Sequence, residues 1–138
     1  ACHALGDLAQ ARQALAQGEA LFEELVPGNA HALLLAAQGA RVDLRLGDAA
    51  AARAAAERVL AALARGIEFE EPWHAVDVRW ACCEVLMALD DARAAPLAAA
   101  LRDEVRAQAA ALQADGGDGE AMLRAVPAYR DILATAPR

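Results

Sequence analysis

The chain has 138 residues, enough for one domain with a core of its own. Alanine fills 41 positions and leucine 19, against two isoleucines and five aromatics, a composition that favours helices over strands. The net charge of −7 comes from 20 acidic residues and 13 arginines, and the arginines are scattered, which speaks against a direct nucleic-acid face.

All basic residues are arginine and none is lysine, as GC-rich bacterial codon usage produces. Three cysteines, Cys2, Cys82 and Cys83, make no disulfide framework and point to the cytoplasm. No apolar run reaches the roughly 18 uncharged residues of a membrane span, and no signal peptide is visible. The chain starts at Ala1 rather than Met, as a fragment of a longer protein would.

In chain order, two stretches repeat. Leu5, Gly6, Asp7, Ala9, Ala11, Arg12 and Ala14 match Leu46, Gly47, Asp48, Ala50, Ala52, Arg53 and Ala55 at an offset of 41 residues. A weaker third copy starts at Leu89, where Leu89, Asp91, Ala95 and Ala98 match the second at an offset of 43. Such periods mark stacked repeats. Glycine can close a helix in the left-handed conformation, and the following aspartate can cap the next helix. Gly6–Asp7 and Gly47–Asp48 are therefore expected as tight turns between antiparallel helices.

Residues 1–5 are then the tail of one helix and 7–25 its partner, with Leu8, Ala11, Leu15, Gly18, Phe22 and Leu25 at helical spacing. "PGN" at 27–29 breaks the chain, and Asn29 can cap a helix over about 30–46. A helix over 48–65 buries Ala52, Ala55, Ala56, Val59, Leu60 and Leu63. After the loop 65–72, Pro72 starts a helix running to about 89. This helix has two apolar stripes: Trp73, Val76, Trp80, Cys83 and Met87, then Val78, Cys82, Val85 and Leu89. Two such faces predict a helix sandwiched between neighbours. The next helix aligns Leu97, Leu101, Val105 and Leu112 and runs to about Ala114. Pro96 requires either a kink or a start near Ala95. "DGGDG" at 115–119 reads as a flexible linker. Short helices over about 120–126 and 127–135 close the chain. The organisation is three hairpin units at about 1–26, 29–65 and 71–114, then the linker and a helical cap over 120–138, with six or seven helices in all.

This pattern resembles the tetratricopeptide-repeat (TPR) superfamily, through the "LGD" turns, the small residues Ala11 and Ala52, and the "PGN" break. The resemblance implies antiparallel helix hairpins stacked in a right-handed superhelix, with repeats longer than the usual 34 residues. The tail "GEAMLRAVPAYRDILATAPR" is similar to the "FL..VP.HR.IL" ending that follows such arrays in large bacterial ATPases fused to transcriptional-regulator or nucleotide-cyclase modules. Leu123, Val126, Pro127, Arg130, Ile132 and Leu133 fit; Met122 and Tyr129 replace Phe and His. No P-loop or helix-turn-helix lies in these residues, so those activities would belong to other segments.

Reaction chemistry is not legible. There is no serine and one threonine, Thr135, which excludes a Ser–His–Asp hydrolase. Cys82 and Cys83 with His74 lack metal-ligand spacing and read as core cysteines. Cys2–His3 has no assigned role, and "DGGDGE" lacks the alternating ligands of a calcium loop. Glu68, Glu70 and Glu71 read as a solvated run. No catalytic, cofactor or metal residue is expected. The expected role is a non-catalytic protein–protein contact domain of a bacterial regulatory protein. Its partner is another protein or upstream modules of the same polypeptide, with a homodimer as a second arrangement. The 7–25 helix lacks a full hairpin mate, so Leu15, Phe22 and Leu21 are expected partly exposed there. Trp73 and Trp80 share one face and read first as core. The alternative function is a small-ligand sensor arm using a pocket near Trp73, Arg79 and Trp80.

Overall fold

A computed structural model describes residues 2–26 and 29–135, with side chains from Gly6 onward. The described residues form seven helices and no strand: α1 (Cys2–Leu25), α2 (Ala30–Arg45), α3 (Ala49–Ala64), α4 (Pro72–Ala88), α5 (Ala94–Ala114), α6 (Gly119–Ala125) and α7 (Pro127–Ala134). The all-α class holds.

Local chemistry sets the boundaries. Asn29 caps α2 by accepting from the amides of His31 at 2.6 Å and Ala32 at 3.2 Å. Asp48 caps α3 through the Ala51 amide at 3.0 Å. Between them, Gly47 takes φ +81°, and the Asp48 amide reaches back to the Asp43 carbonyl at 2.9 Å. That bond closes α2 in a Schellman turn and folds α3 back along it. The third copy repeats this geometry without glycine. Asp90 takes φ +53°, and the Asp91 amide reaches the Leu86 carbonyl at 2.9 Å. Aspartate tolerates this conformation better than most residues. Pro72 occupies the first turn of α4. Pro96 is the third residue of α5, where its missing N–H leaves no intrahelical bond unmade, so no kink is needed.

Two expectations are corrected. Gly6–Asp7 is not a turn: α1 runs through it unbroken, and Gly6 does not take a positive φ. Continuing a helix through glycine costs only about 1 kcal/mol, so the glycine alone does not end it. Cys2–Leu25 is therefore one helix, not a hairpin. A Cβ at Gly6 would meet nothing within 4 Å. Gly6→Ala is therefore expected to raise stability by up to about 1 kcal/mol in urea unfolding; a loss would restore the turn. The second correction concerns 115–119, which is a built turn rather than an open linker. Gly116 takes φ +90°, the Gly117 amide bonds the Leu112 carbonyl at 2.9 Å, and Asp118 caps α6 through the Ala121 amide at 3.0 Å.

The core is two apolar clusters sharing α4. One joins Leu33, Ala36, Ala37 and Ala40 of α2, Ala52, Ala55, Ala56, Val59 and Ala62 of α3, and Val78, Ala81, Cys82 and Val85 of α4. The other joins Val76, Trp80 and Cys83 of α4, Ala98, Leu101 and Val105 of α5, and Ala128, Tyr129 and Ile132 of α7. The two stripes of α4 thus face opposite clusters, as its sequence requires. Helix packing is between neighbours: α2 touches α1, α3 and α4, while α4 touches α2, α3, α5 and α7. Neither α1 and α3 nor α3 and α5 pack together.

Alanine makes the α2–α3 pair close. Ala52 has no exposed surface and Ala56 has 1%. Ala52→Leu is expected to cost about 1–3 kcal/mol by overpacking, read as a lower denaturation midpoint. An unchanged midpoint would show spare room beside α3.

Candidate interaction surface

Helix α1 packs on α2 and reaches α3 through Glu19 and Arg58, 3.6 Å apart; none of its side chains from Gly6 onward is fully buried. Phe22 is half-buried, and its ring stacks on His31 with centroids 5.4 Å apart and planes 18° apart. Leu15 is also half-buried. It lines a cleft of about 370 Å³ with Gln38, Arg41, Val42, Leu44 and Glu84. Leu15 and Phe22 therefore spend most of their apolar surface on α2 rather than on a partner. The exposed apolar residues lie further along: Leu21 at 54%, Leu25 at 67% and Val26 at 56%. Leu21 and Leu25 are one helical turn apart, and Val26 follows directly, so the three form a patch at one end of the molecule. Sequence reasoning placed Leu25 on the packed face and missed Val26. Their signal was an apolar run just before the "PGN" break.

The expected Trp73–Arg79–Trp80 site is not brought together: Arg79 lines a cleft of about 600 Å³ with Leu60, Ile67, Phe69, Ala75 and Leu97, and neither tryptophan lines it. Trp80 is 3% exposed and belongs to the α4–α5–α7 core, leaving its Nε1 without a partner. Trp73 is 43% exposed and tilts against His74 with centroids 3.8 Å apart. The two rings share a helical face, but Trp73 stands in the first turn of α4, and burial of that face begins only at Val76. Trp73 is thus not a core residue. Arg79 pairs with Glu104 of α5, tying the two helices together.

Between α2 and α4 runs a polar network. The Arg41 guanidinium donates to Asp77 at 2.9 Å, Glu84 at 3.2 Å and Gln38 at 3.2 Å, and Gln38 donates to Asp77 at 3.1 Å. Arg41 and Glu84 sit 43 residues apart, the offset of the two Schellman turns, so they are equivalent positions on α2 and α4. Burial pushes the Glu84 carboxyl up, and nearby Asp131 and Asp77 add to the rise against the pull of Arg41. Arg41 stays firmly charged: burial opposes its charge, but two carboxylates more than offset that. The network fixes the α2–α4 register.

Cys82 and Cys83 are core residues. Their thiols lie against the carbonyls of Ala56 at 3.8 Å and Ala94 at 3.5 Å. Burial pushes the two thiols up to about 12 and about 11, which removes the reactive thiolate at neutral pH. Among the described residues, no group of His, Cys, Asp and Glu is placed to hold a metal ion. Nor is any helix long and apolar enough to cross a membrane. Glu68, Glu70 and Glu71 are exposed in the loop before α4. The calls on Pro27, Gly28 and the side chains of Cys2 and His3 lie outside the described residues. Compared with known proteins, the chain matches no family model, no curated protein and no solved structure.

Proposed function

We propose that this chain is a non-catalytic helical-repeat contact domain, TPR-like in its stacking, from a cytoplasmic bacterial regulatory protein of signal transduction or transcription. Its partner is another protein or upstream modules of the same polypeptide, engaged through the free side of α1. A homodimer through the same patch is the second arrangement. The observation that carries this reading is the asymmetry of packing. α4 is covered on both sides, whereas α1 packs on α2, reaches α3 through the Glu19–Arg58 ion pair, and ends in exposed Leu21, Leu25 and Val26. A repeat stack buries its apolar faces only against neighbours, so an uncovered terminal face is where the next unit belongs.

The repeat reading gains support from the neighbour pattern. α2, α4 and α7 touch in succession, while α3 and α5 do not touch each other. Light scattering at high protein concentration tests the dimer, comparing the native chain with the double variant Leu21→Asp/Leu25→Asp. Association lost in the variant supports it, and a monodisperse native monomer overturns it. Amide exchange over residues 18–26, in the longer polypeptide or with a partner, tests the wider reading. Protection there is expected, and unchanged exchange would remove the role of α1.

A further inference from the structure

A second cavity lies at the other end of the molecule. Met87 in the last turn of α4, Asp91 just after it, Ala95, Ala98 and Ala99 on the first turns of α5, Arg102 one turn on, and Thr135 after α7 line a cleft of about 360 Å³. Ligand pockets run from about 300 to 1,000 Å³, so this one suits a small molecule. The space exists because alanines stand where leucine would fill it. Its wall is firm: Ala94 and Ala98 are buried, and the Ala94 carbonyl is held by the Cys83 thiol.

The charges around it are unequal. Asp91 is saturated: Arg93 donates to it at 2.9 Å and Arg53 lies 3.5 Å away. Those two arginines and neighbouring backbone bonds hold Asp91 well below the usual carboxylate range. Arg79 and Arg41 have carboxylates of their own. Arg102 has none among the described residues. Its guanidinium meets only the Thr135 carbonyl, at 3.5 Å. Arg45, Arg65, Arg106, Arg124 and Arg130 also lack an ion pair among the described residues, so what marks Arg102 is its place at the edge of an alanine-walled cavity, beside a backbone carbonyl rather than a carboxylate. Asp90 is exposed at the rim, and its negative charge competes with an anionic ligand there.

We propose that this cleft binds a small amphiphilic carboxylate, with the carboxylate forked by Arg102 and a short apolar body over Ala95, Ala98, Ala99 and Met87. The site lies on α4, α5 and α7, away from α1, and so stands independently of the partner-binding reading. The probe is sodium hexanoate, titrated into the ¹⁵N-labelled chain, with 1-hexanol and hexylammonium chloride as charge controls. Saturable amide shifts are expected over Ala95–Arg102 and at the Arg102 side-chain N–H. Hexanoate should bind about tenfold more tightly than either control, the preference one charge-assisted fork supplies.

Arg102→Gln should abolish that preference while leaving the helical circular dichroism unchanged. Ala99→Leu should fill the cleft and remove hexanoate binding without lowering the melting temperature. Equal binding of hexanoate and hexanol by the native chain would overturn the proposal. So would shifts centred on Leu21, Leu25 and Val26, or an absence of saturation.

Discussion

Arg12→Ala is expected to destabilise the fold by about 3 kcal/mol. Asp43 on α2 is 4% exposed, and its Oδ1 accepts from Arg12 Nε of α1 at 2.8 Å. Its Oδ2 is buried with no partner, as is Nη1 of Arg12, so neither group has a substitute for the other. The approach depends on Gly39: a Cβ there would lie 3.2 Å from Cζ of Arg12, which shows the guanidinium resting on bare backbone. Removing one member of a buried pair typically costs about 3–5 kcal/mol, because the remaining charge stays desolvated. The lower end applies here, since the Arg12 side chain is 26% exposed and water can follow it in.

Urea unfolding followed by circular dichroism measures the loss. Amide exchange along α1 separates global unfolding from release of that helix. The double variant Arg12→Leu/Asp43→Leu is expected to recover most of the loss, since apolar replacements of buried pairs are often neutral. A cost below about 1 kcal/mol for Arg12→Ala would show that water already reaches Asp43.

Legibility followed the range of the interaction. The turn at Gly47–Asp48 was readable because a left-handed glycine and a capping aspartate are both local devices. The same three letters at Leu5–Asp7 do not make a turn, because a glycine that stays at negative φ is carried inside a helix at a cost of only about 1 kcal/mol. Asp90 shows the converse, with the geometry kept after the glycine was lost. The two faces of α4 were visible because burial on both sides writes two stripes into one helix. Trp73 was not, since periodicity assigns a side chain to a face but cannot say where the neighbouring helix stops. Arg12–Asp43 spans 31 residues and two helices, and nothing local marks it. The Arg102 cleft is harder still. It is missing volume beside Ala95, Ala98 and Ala99, in a chain where 41 alanines mostly mean close packing.

The last expectation concerns the junction that holds the C-terminal helices, and it reverses the usual sign of a Gly→Ala change. Gly119 opens α6, is buried, and donates its N–H to Gln113 Oε1 at 3.1 Å. A Cβ there would sit 2.3 Å from the Ala109 carbonyl oxygen and 3.0 Å from its carbon. Both atoms belong to the backbone of α5, so no side chain can rotate aside. Gly117 differs: its nearest obstacle is the Leu112 side chain, which can move. Alanine normally favours a helix by up to about 1 kcal/mol over glycine. At Gly119 the clash must push α6 off α5 and carry α7 with it. That motion draws Tyr129 and Ile132, 2% and 0% exposed, out of the cluster they share with Trp80 and Leu101. Gly119→Ala is therefore expected to cost about 3 kcal/mol or more, the upper end of overpacking. Trp80 emission should shift to the red as its neighbours leave, with Trp73→Phe as the background so that Trp80 reports alone. Gly6→Ala, on an exposed turn of α1, serves as the matched control and should not destabilise. If the two alanines behave alike, α6 is not seated on the α5 backbone.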